Sequence, residues 1–185
     1  MLRKLLAAAL IAALTGTGAL AGGDTNGPDL GAYAEEIISM RSSLAKSFIL
    51  PGAEVNEETF KKVCGAVGQR VKEISEKEGV KIRHAATKFR NPANAATPEE
   101  AGLIEAFEKD KGLKGLKELM GSFEKEGIKY ARYTRPIYVE SACLACHGAK
   151  DSRPRFITEK YAQDRAFDFK TGDLRGIISV VAPVK

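Results

Sequence analysis

Apolar and polar positions along this chain alternate first with a helical period and later with a strand period. Leu30, Ala34, Ile37, Ile38, Leu44 and Phe48 recur every three or four residues until Pro51-Gly52 interrupts them, which predicts a first amphipathic helix. Phe60, Val63, Cys64, Val67, Val71 and Ile74 repeat the pattern and predict a second helix over about 57–77, placing Cys64 in the middle of its buried stripe. Asn56 is its N-cap, Glu57 and Glu58 occupy its first turn, and Gly79 closes it. From Val80 to Ala85 the period drops to two, the mark of a half-buried strand. The run Arg90-Asn91-Pro92-Ala93-Asn94 is turn chemistry, and Thr97-Pro98-Glu99-Glu100 is a capping box that opens a helix through Leu103, Ile104 and Phe107.

Residues 111–117 are rich in glycine and lysine and read as a loop leading into a strand near 119–123. Glu126-Gly127 is a turn, and 128–139, with its tyrosines and β-branched residues, is the most strand-like stretch. Pro136 inside it calls for an edge position or a bulge. Residues 161–164 suit one further turn, Thr171-Gly172-Asp173 is a hairpin signal, and 174–184 is an apolar final strand. Helices first and antiparallel strands with short helices afterwards predict an α+β fold.

The N-terminus changes the picture of where the chain works. Arg3 and Lys4 precede the apolar run 5–14, and Ala19-Leu20-Ala21 offers a small-residue cleavage site before Gly22. That is a secretory signal over 1–21, too short to stay as a membrane span. A single exported, periplasmic domain over 22–185 is expected, with no stable membrane span after signal removal. Loss of Arg3 and Lys4 lowers the excess of basic residues from five to three, which favours no nucleic-acid partner.

The most specific motif is Cys143-Leu144-Ala145-Cys146-His147, a C-x-x-C-H run. Two thiols at this spacing can each form a thioether with a haem vinyl group while the next residue's imidazole ligates the iron, so the motif predicts one covalent haem c with His147 as proximal ligand. The other readings are a Cys143–Cys146 disulfide, a redox-active dithiol, and half of a zinc site drawing on Cys64 or His84. A second close pair of ligands is missing for zinc, and the run follows a strand late in the chain rather than opening a βαβ unit.

Cys64 is then left as a third, unpaired thiol in an oxidising compartment. Gly65 and Gly68 interrupt the interior of its helix at a cost of about 1 kcal/mol each relative to alanine, and Gly68 lies one turn from Cys64. A flat macrocycle could lie against such a face with the sulfur on iron; a small buried hydrophobe is the equally weighted alternative. His84, Met40 and Met120 are the other candidate donors, His84 reading better as a polar residue at a haem edge or on the surface, and the methionines as packing. Lys61 and Lys62, one turn earlier, could keep a Cys64 thiolate deprotonated. Arg83, Arg90, Arg132 and Arg135 are candidates for the haem carboxylates, against the commoner role of surface arginines.

Several segments together carry a family resemblance: the run Arg83 to Asn94, the run Arg135-Pro136-Ile137 to Cys143-Leu144-Ala145-Cys146-His147-Gly148, and the later Tyr161, Asp164, Gly172-Asp173 and Gly176. They resemble a family of exported single-haem c-type proteins with a PAS-like fold, found in cyanobacteria and many other bacteria and long catalogued as a domain of unknown function. The resemblance implies a PAS-like antiparallel sheet flanked by the N-terminal helices, and haem iron held by His147 and a Cys64 thiolate. It also implies a role in redox or small-ligand sensing; a thiolate that leaves on reduction would open the iron to nitric oxide or carbon monoxide, and the signal would pass to a separate redox or signalling protein. A soluble electron-transfer cytochrome c is the alternative. Enzymatic turnover of peroxide or nitrogen oxides, for which His84 would be the acid-base group, ranks third.

Overall fold

The computed structural model describes residues 27–110 and 115–184; the expected signal 1–21 and residues 111–114 of the expected loop lie outside them. Helix α1, Leu30–Phe48, begins where the Asp29 carboxylate accepts the Ala32 N–H at 2.9 Å. The second helical run starts as expected, with Asn56 accepting the Thr59 N–H at 2.9 Å, but it is not one continuous α-helix. It consists of α2, Glu57–Phe60, a π-helical turn at Lys61–Gly65, and α3, Ala66–Glu78, which Gly79 closes at φ 65°. In the π-turn the Ala66 N–H reaches back to the Lys61 carbonyl, one residue further than an α-helix allows. The extra residue keeps Val63 and Val67 buried while turning Cys64 outward, so Cys64 is exposed and not part of the buried stripe.

Four strands follow: β1 Lys81–Ala85, β2 Leu119–Lys125, β3 Ile128–Tyr138 and β4 Leu174–Pro183. They form one sheet in the order β1-β4-β3-β2, every neighbour antiparallel. Glu126 and Gly127, at φ 54° and 76°, make the tight β2–β3 turn. Pairing of β2 stops opposite Thr134, so Pro136 faces only Ile177 of β4, and a register irregularity follows at Ile137/Tyr138. Both expectations for that proline hold, because beyond Thr134 the strand has a free side that needs no N–H. Thr171-Gly172-Asp173 is a turn but not a strand-to-strand hairpin: Val139 bonds to Gly172 and Asp173 at 2.8 and 2.9 Å, delivering the chain into β4 beside a strand distant in sequence.

The capping box works reciprocally, with Glu100 N on Thr97 Oγ1 at 3.2 Å and Thr97 N on Glu100 Oε2 at 2.9 Å, and opens α4, Pro98–Asp110. One face of the sheet packs α1 and α3 through Ile82, Tyr133, Ile178 and Val180 against Ala34, Ile37, Val67 and Ile74. The other packs Ile104 and Phe107 of α4 on Ala85 and Ile177. At roughly 1.5–3 kcal/mol per large side chain removed from water, these two layers dominate the fold's stability. The architecture is α+β, an antiparallel sheet with N-terminal helices, as expected. A third cluster, Val139, Ala166 and Phe169 with Cys143 and Leu144 against it, lies at the end of β3 and seats the C-x-x-C-H segment. Gly176, at φ 152°, lets β4 press onto β1: a Cβ there would stand 2.4 Å from the Ala85 carbonyl oxygen.

Candidate functional site

The C-x-x-C-H run leaves β3 through a 3₁₀ turn, Ser141–Cys143, into the single helical turn α5, Leu144–His147. Cys143 is half-buried and Cys146 buried. Burial pushes both thiols upward, Cys146 to about 11 although Arg90 pulls the other way. His147 Nδ1 lies 2.7 Å from the Ala166 carbonyl oxygen. A carbonyl only accepts, so Nδ1 carries the hydrogen and Nε2 keeps its lone pair. The Phe169 ring meets the imidazole edge-on at 6.2 Å. Burial first, then the Arg175 and Arg90 charges, holds His147 well below the ordinary histidine value. It is therefore neutral at pH 7, with Nδ1–H on a backbone carbonyl, which is the state of a metal-ligating histidine.

Arg90 braces this segment from behind. Its guanidinium donates to the Cys146 carbonyl at 2.5 Å and to Asp164 at 3.3 Å, and makes a longer contact with the Ala166 carbonyl at 3.4 Å. Asp164 is shared with Arg153 at 2.9 Å and accepts the Ala166 N–H at 2.9 Å. The loop that fixes the His147 tautomer is thus pinned to the helix that carries the imidazole. Gly148, next after His147, approaches so closely that a Cβ would stand 2.6 Å from the Leu144 carbonyl oxygen.

Cys64 comes to the same place from the N-terminal helices. It stands near enough for a thiolate there to act on Cys143 and Cys146, and Arg41 of α1 lies near both Cys64 and Cys143. An added Cβ at Gly68 would meet nothing within 4 Å, so the helix face beyond Cys64 is open. His84 is neither a surface residue nor free: Arg41 Nη2 lies 2.7 Å from its Nδ1, and burial followed by the Arg41 charge holds it well below the ordinary value. Arg175 completes the group, donating to the Lys88 carbonyl at 2.9 Å and brought down to about 10 by burial and then by Arg41 and Arg90. A cavity of about 620 Å³ opens between α1 and the end of β3, bordered by Arg41, Ile137 and Cys143, within the size range of cofactor pockets.

The structure corrects several expectations about neighbouring residues. Lys61 pairs with Glu57 at 3.5 Å and Lys62 with Glu58 at 2.7 Å on the surface, so the half-buried cation beside Cys64 is Arg41 and not a lysine. Arg83, Arg132 and Arg135 are bound to Glu100, Glu99 and Glu35, and Arg90 to Asp164. These carboxylates occupy all four guanidiniums proposed for the haem. Met40 packs on the core, whereas Met120 is exposed on the sheet edge. Among the described residues no cluster of three or more His, Cys, Asp or Glu is arranged to hold a bare metal ion, so the zinc alternative lacks a ligand set. Arg41 and Arg175 escaped the sequence reading, although each left a trace: Arg41 stands on the apolar stripe of its helix between Ile37 and Leu44, and Arg175 is the lone charge in the apolar run 174–182.

The model of the family described as Tll0287-like matches residues 31–183. Among solved structures, the crystal structure of the cyanobacterial heme-protein Tll0287 is similar at 37% identity and a TM-score of 0.72, the match covering 83% of this chain and 92% of that one. No curated protein matches.

Proposed function

Since the chain belongs to the Tll0287-like family, we propose that it carries one covalent haem c and acts in the periplasm as a redox or small-ligand sensor. The observation that carries this reading is the His147 imidazole, neutral, with Nδ1–H on the Ala166 carbonyl and Nε2 left for iron, directly after two thiols at haem-attachment spacing. The resident groups fit such a cofactor. Cys143 and Cys146 would hold it as thioethers, His147 and Cys64 would ligate the iron, and a cofactor-sized cavity borders Cys143. Bound there, a haem supplies a one-electron ferric/ferrous couple and an iron position open to diatomic ligands when one axial donor is absent.

The chain's own residues differ on the two sides. His147 is fixed by the Ala166 carbonyl and the Phe169 ring, and Arg90 holds the Cys146 carbonyl beside it, so its position and tautomer are set before any ligand arrives. Cys64 rides on an exposed π-turn whose hydrogen bonds can change register, between surface lysines and two glycines. A change in the bonding of Cys64 would therefore be felt in α2 and α3, which is how a domain can report to a separate signalling or redox partner.

Two measurements test the reading. Acid-acetone treatment of the denatured protein should leave the haem on the chain; complete release would refute covalent attachment. Cys64→Ala should retain the haem but convert the ferric protein from low to high spin in its electron-spin-resonance spectrum. A silent Cys64→Ala together with a spin change in His84→Ala would move the ligand to His84 and remove the basis of the switch.

A further inference from the structure

Charge pairing inside the site is incomplete. Among the described residues seven arginines have a carboxylate within ion-pair distance, and an eighth, Arg165, is exposed over the Phe89 ring. Arg41 and Arg175 remain, and they are the two that stand among the candidate haem ligands. Arg41 binds His84 through Nη2 alone, leaving most of its five N–H donors without a protein partner. Arg175 gives Nη1 to the Lys88 carbonyl and rests 5.4 Å from the centre of the Phe169 ring. Each guanidinium borders open space: Arg41 the cavity beside Cys143, and Arg175 a second cavity of about 350 Å³ that it shares with Lys88 and Phe169.

An interior cation without an anion is costly, and removing it from water is repaid only by a well-placed counter-charge. Among the described residues no carboxylate stands within ion-pair distance of either guanidinium, although Glu108, Asp168 and Asp173 border the same cavity as Arg175. Resting on the haem reading above, we infer that Arg41 and Arg175 are the partners of the two haem carboxylates, one guanidinium to each. A guanidinium matches a carboxylate with two parallel N–H···O bonds, and two unpaired arginines meet two propionates with no charge left over. The arginines come from α1 and from β4, so the haem would tie the N-terminal helices to the sheet by ionic bonds as well as through Cys64. His84 then has the subordinate part of holding Arg41 in place with a neutral ring nitrogen.

The test uses the holoprotein with haem carboxylate carbons ¹³C-labelled through 5-aminolevulinate, so that ferric-minus-ferrous infrared difference bands of the haem stand apart from those of Asp and Glu. Arg41→Gln and Arg175→Gln should each shift one labelled carboxylate band, and the double variant both, while Arg41→Lys and Arg175→Lys, which keep the charge but lose the two-pronged bond, should each move the same band by a smaller amount. Labelled bands that stay in place in both glutamine variants, with haem attached, would overturn the inference and leave the haem reading intact. Should a glutamine variant fail to fold, the lysine variant decides: a small shift of one labelled band supports a direct ion pair, and none at all refutes it. A protein that carries no haem refutes the earlier reading instead.

Discussion

Arg90 offers the sharpest test of how the C-x-x-C-H segment is held. Arg90→Met keeps the apolar stem but removes the guanidinium that is 8% exposed beside the 1% exposed Asp164 side chain. Removing one partner of a buried ion pair usually costs about 3–5 kcal/mol because a charge is stranded. Here Asp164 keeps Arg153 at 2.9 Å, so that penalty is reduced. The loss is then one short charge-assisted bond to the Cys146 carbonyl and two longer contacts, to Asp164 and Ala166. At about 1.5–3 kcal/mol for a good bond to a charged group, and less for the long ones, the expected destabilisation is about 2–3 kcal/mol. That corresponds to a fall in Tm of roughly 5–10 °C for a chain of this size.

The assay is urea unfolding of wild type, Arg90→Met, Arg153→Met and the double variant. Both arginines serve the same carboxylate, so the double loss should exceed the sum of the single ones, because only then is Asp164 buried without a cation. A loss below about 0.5 kcal/mol in Arg90→Met, in the range of an exposed ion pair, or strict additivity in the cycle, would refute the bracing argument.

Gly176→Ala should destabilise by at least about 2 kcal/mol in thermal unfolding, since the new Cβ would stand 2.4 Å from the Ala85 carbonyl at φ 152°; a neutral result would mean that β4 can move away from β1 freely. His84 gives a pH dependence. Its folded value is depressed by burial and the Arg41 charge, so the unfolded chain binds more protons and stability is lost as pH falls below about 6.5, by up to about 1.4 kcal/mol per pH unit. Denaturation at pH 7.5, 6.5 and 5.5 should show a shallower loss in His84→Asn than in wild type, and equal slopes would place the His84 ring in contact with water.

Much of the fold was legible because it is local. The N-cap Asn56, the Thr97–Glu100 box, the αL glycine at 79 and the Glu126-Gly127 turn all act within four residues, and each stands where its chemistry requires. The helix α6, Arg155–Lys160, was missed, since among its six residues only Ile157 is buried and no periodicity could show it. The C-x-x-C-H motif is equally local. What surrounds it is not: Arg41, Arg90 and Arg175 reach the site from a helix, a turn and a strand, and which arginine keeps a carboxylate to itself depends on sheet register. Arg83 is drawn to Glu100 because β1 places it on the α4 face, while His84, one residue on, turns to the α1 face and meets Arg41. The π-turn was hidden for a further reason: inserting one residue into a helix leaves the apolar three-four pattern on both flanks intact and only rotates one flank against the other.

That rotation bears on the choice between sensor and electron carrier. A carrier gains from two axial donors held with equal firmness, because reorganisation on electron transfer slows it. Here the two sides are unequal. His147 sits in a buried frame of Arg90, Asp164, Ala166 and Phe169, whereas Cys64 stands on a turn whose neighbours are the exposed Lys61, Lys62 and Gly65 and whose backbone already departs from the α-helical ladder. An α-helix through the same residues would carry Cys64 into the stripe with Val63 and Val67, so the outward position of the thiol is bound to the unusual hydrogen bonding of the turn. Deleting Gly65 should restore α-helical bonding and swing Cys64 off the site with the helix content unchanged. The asymmetry of the two sides supports the sensor, because the side free to change is the one joined to the surface helices.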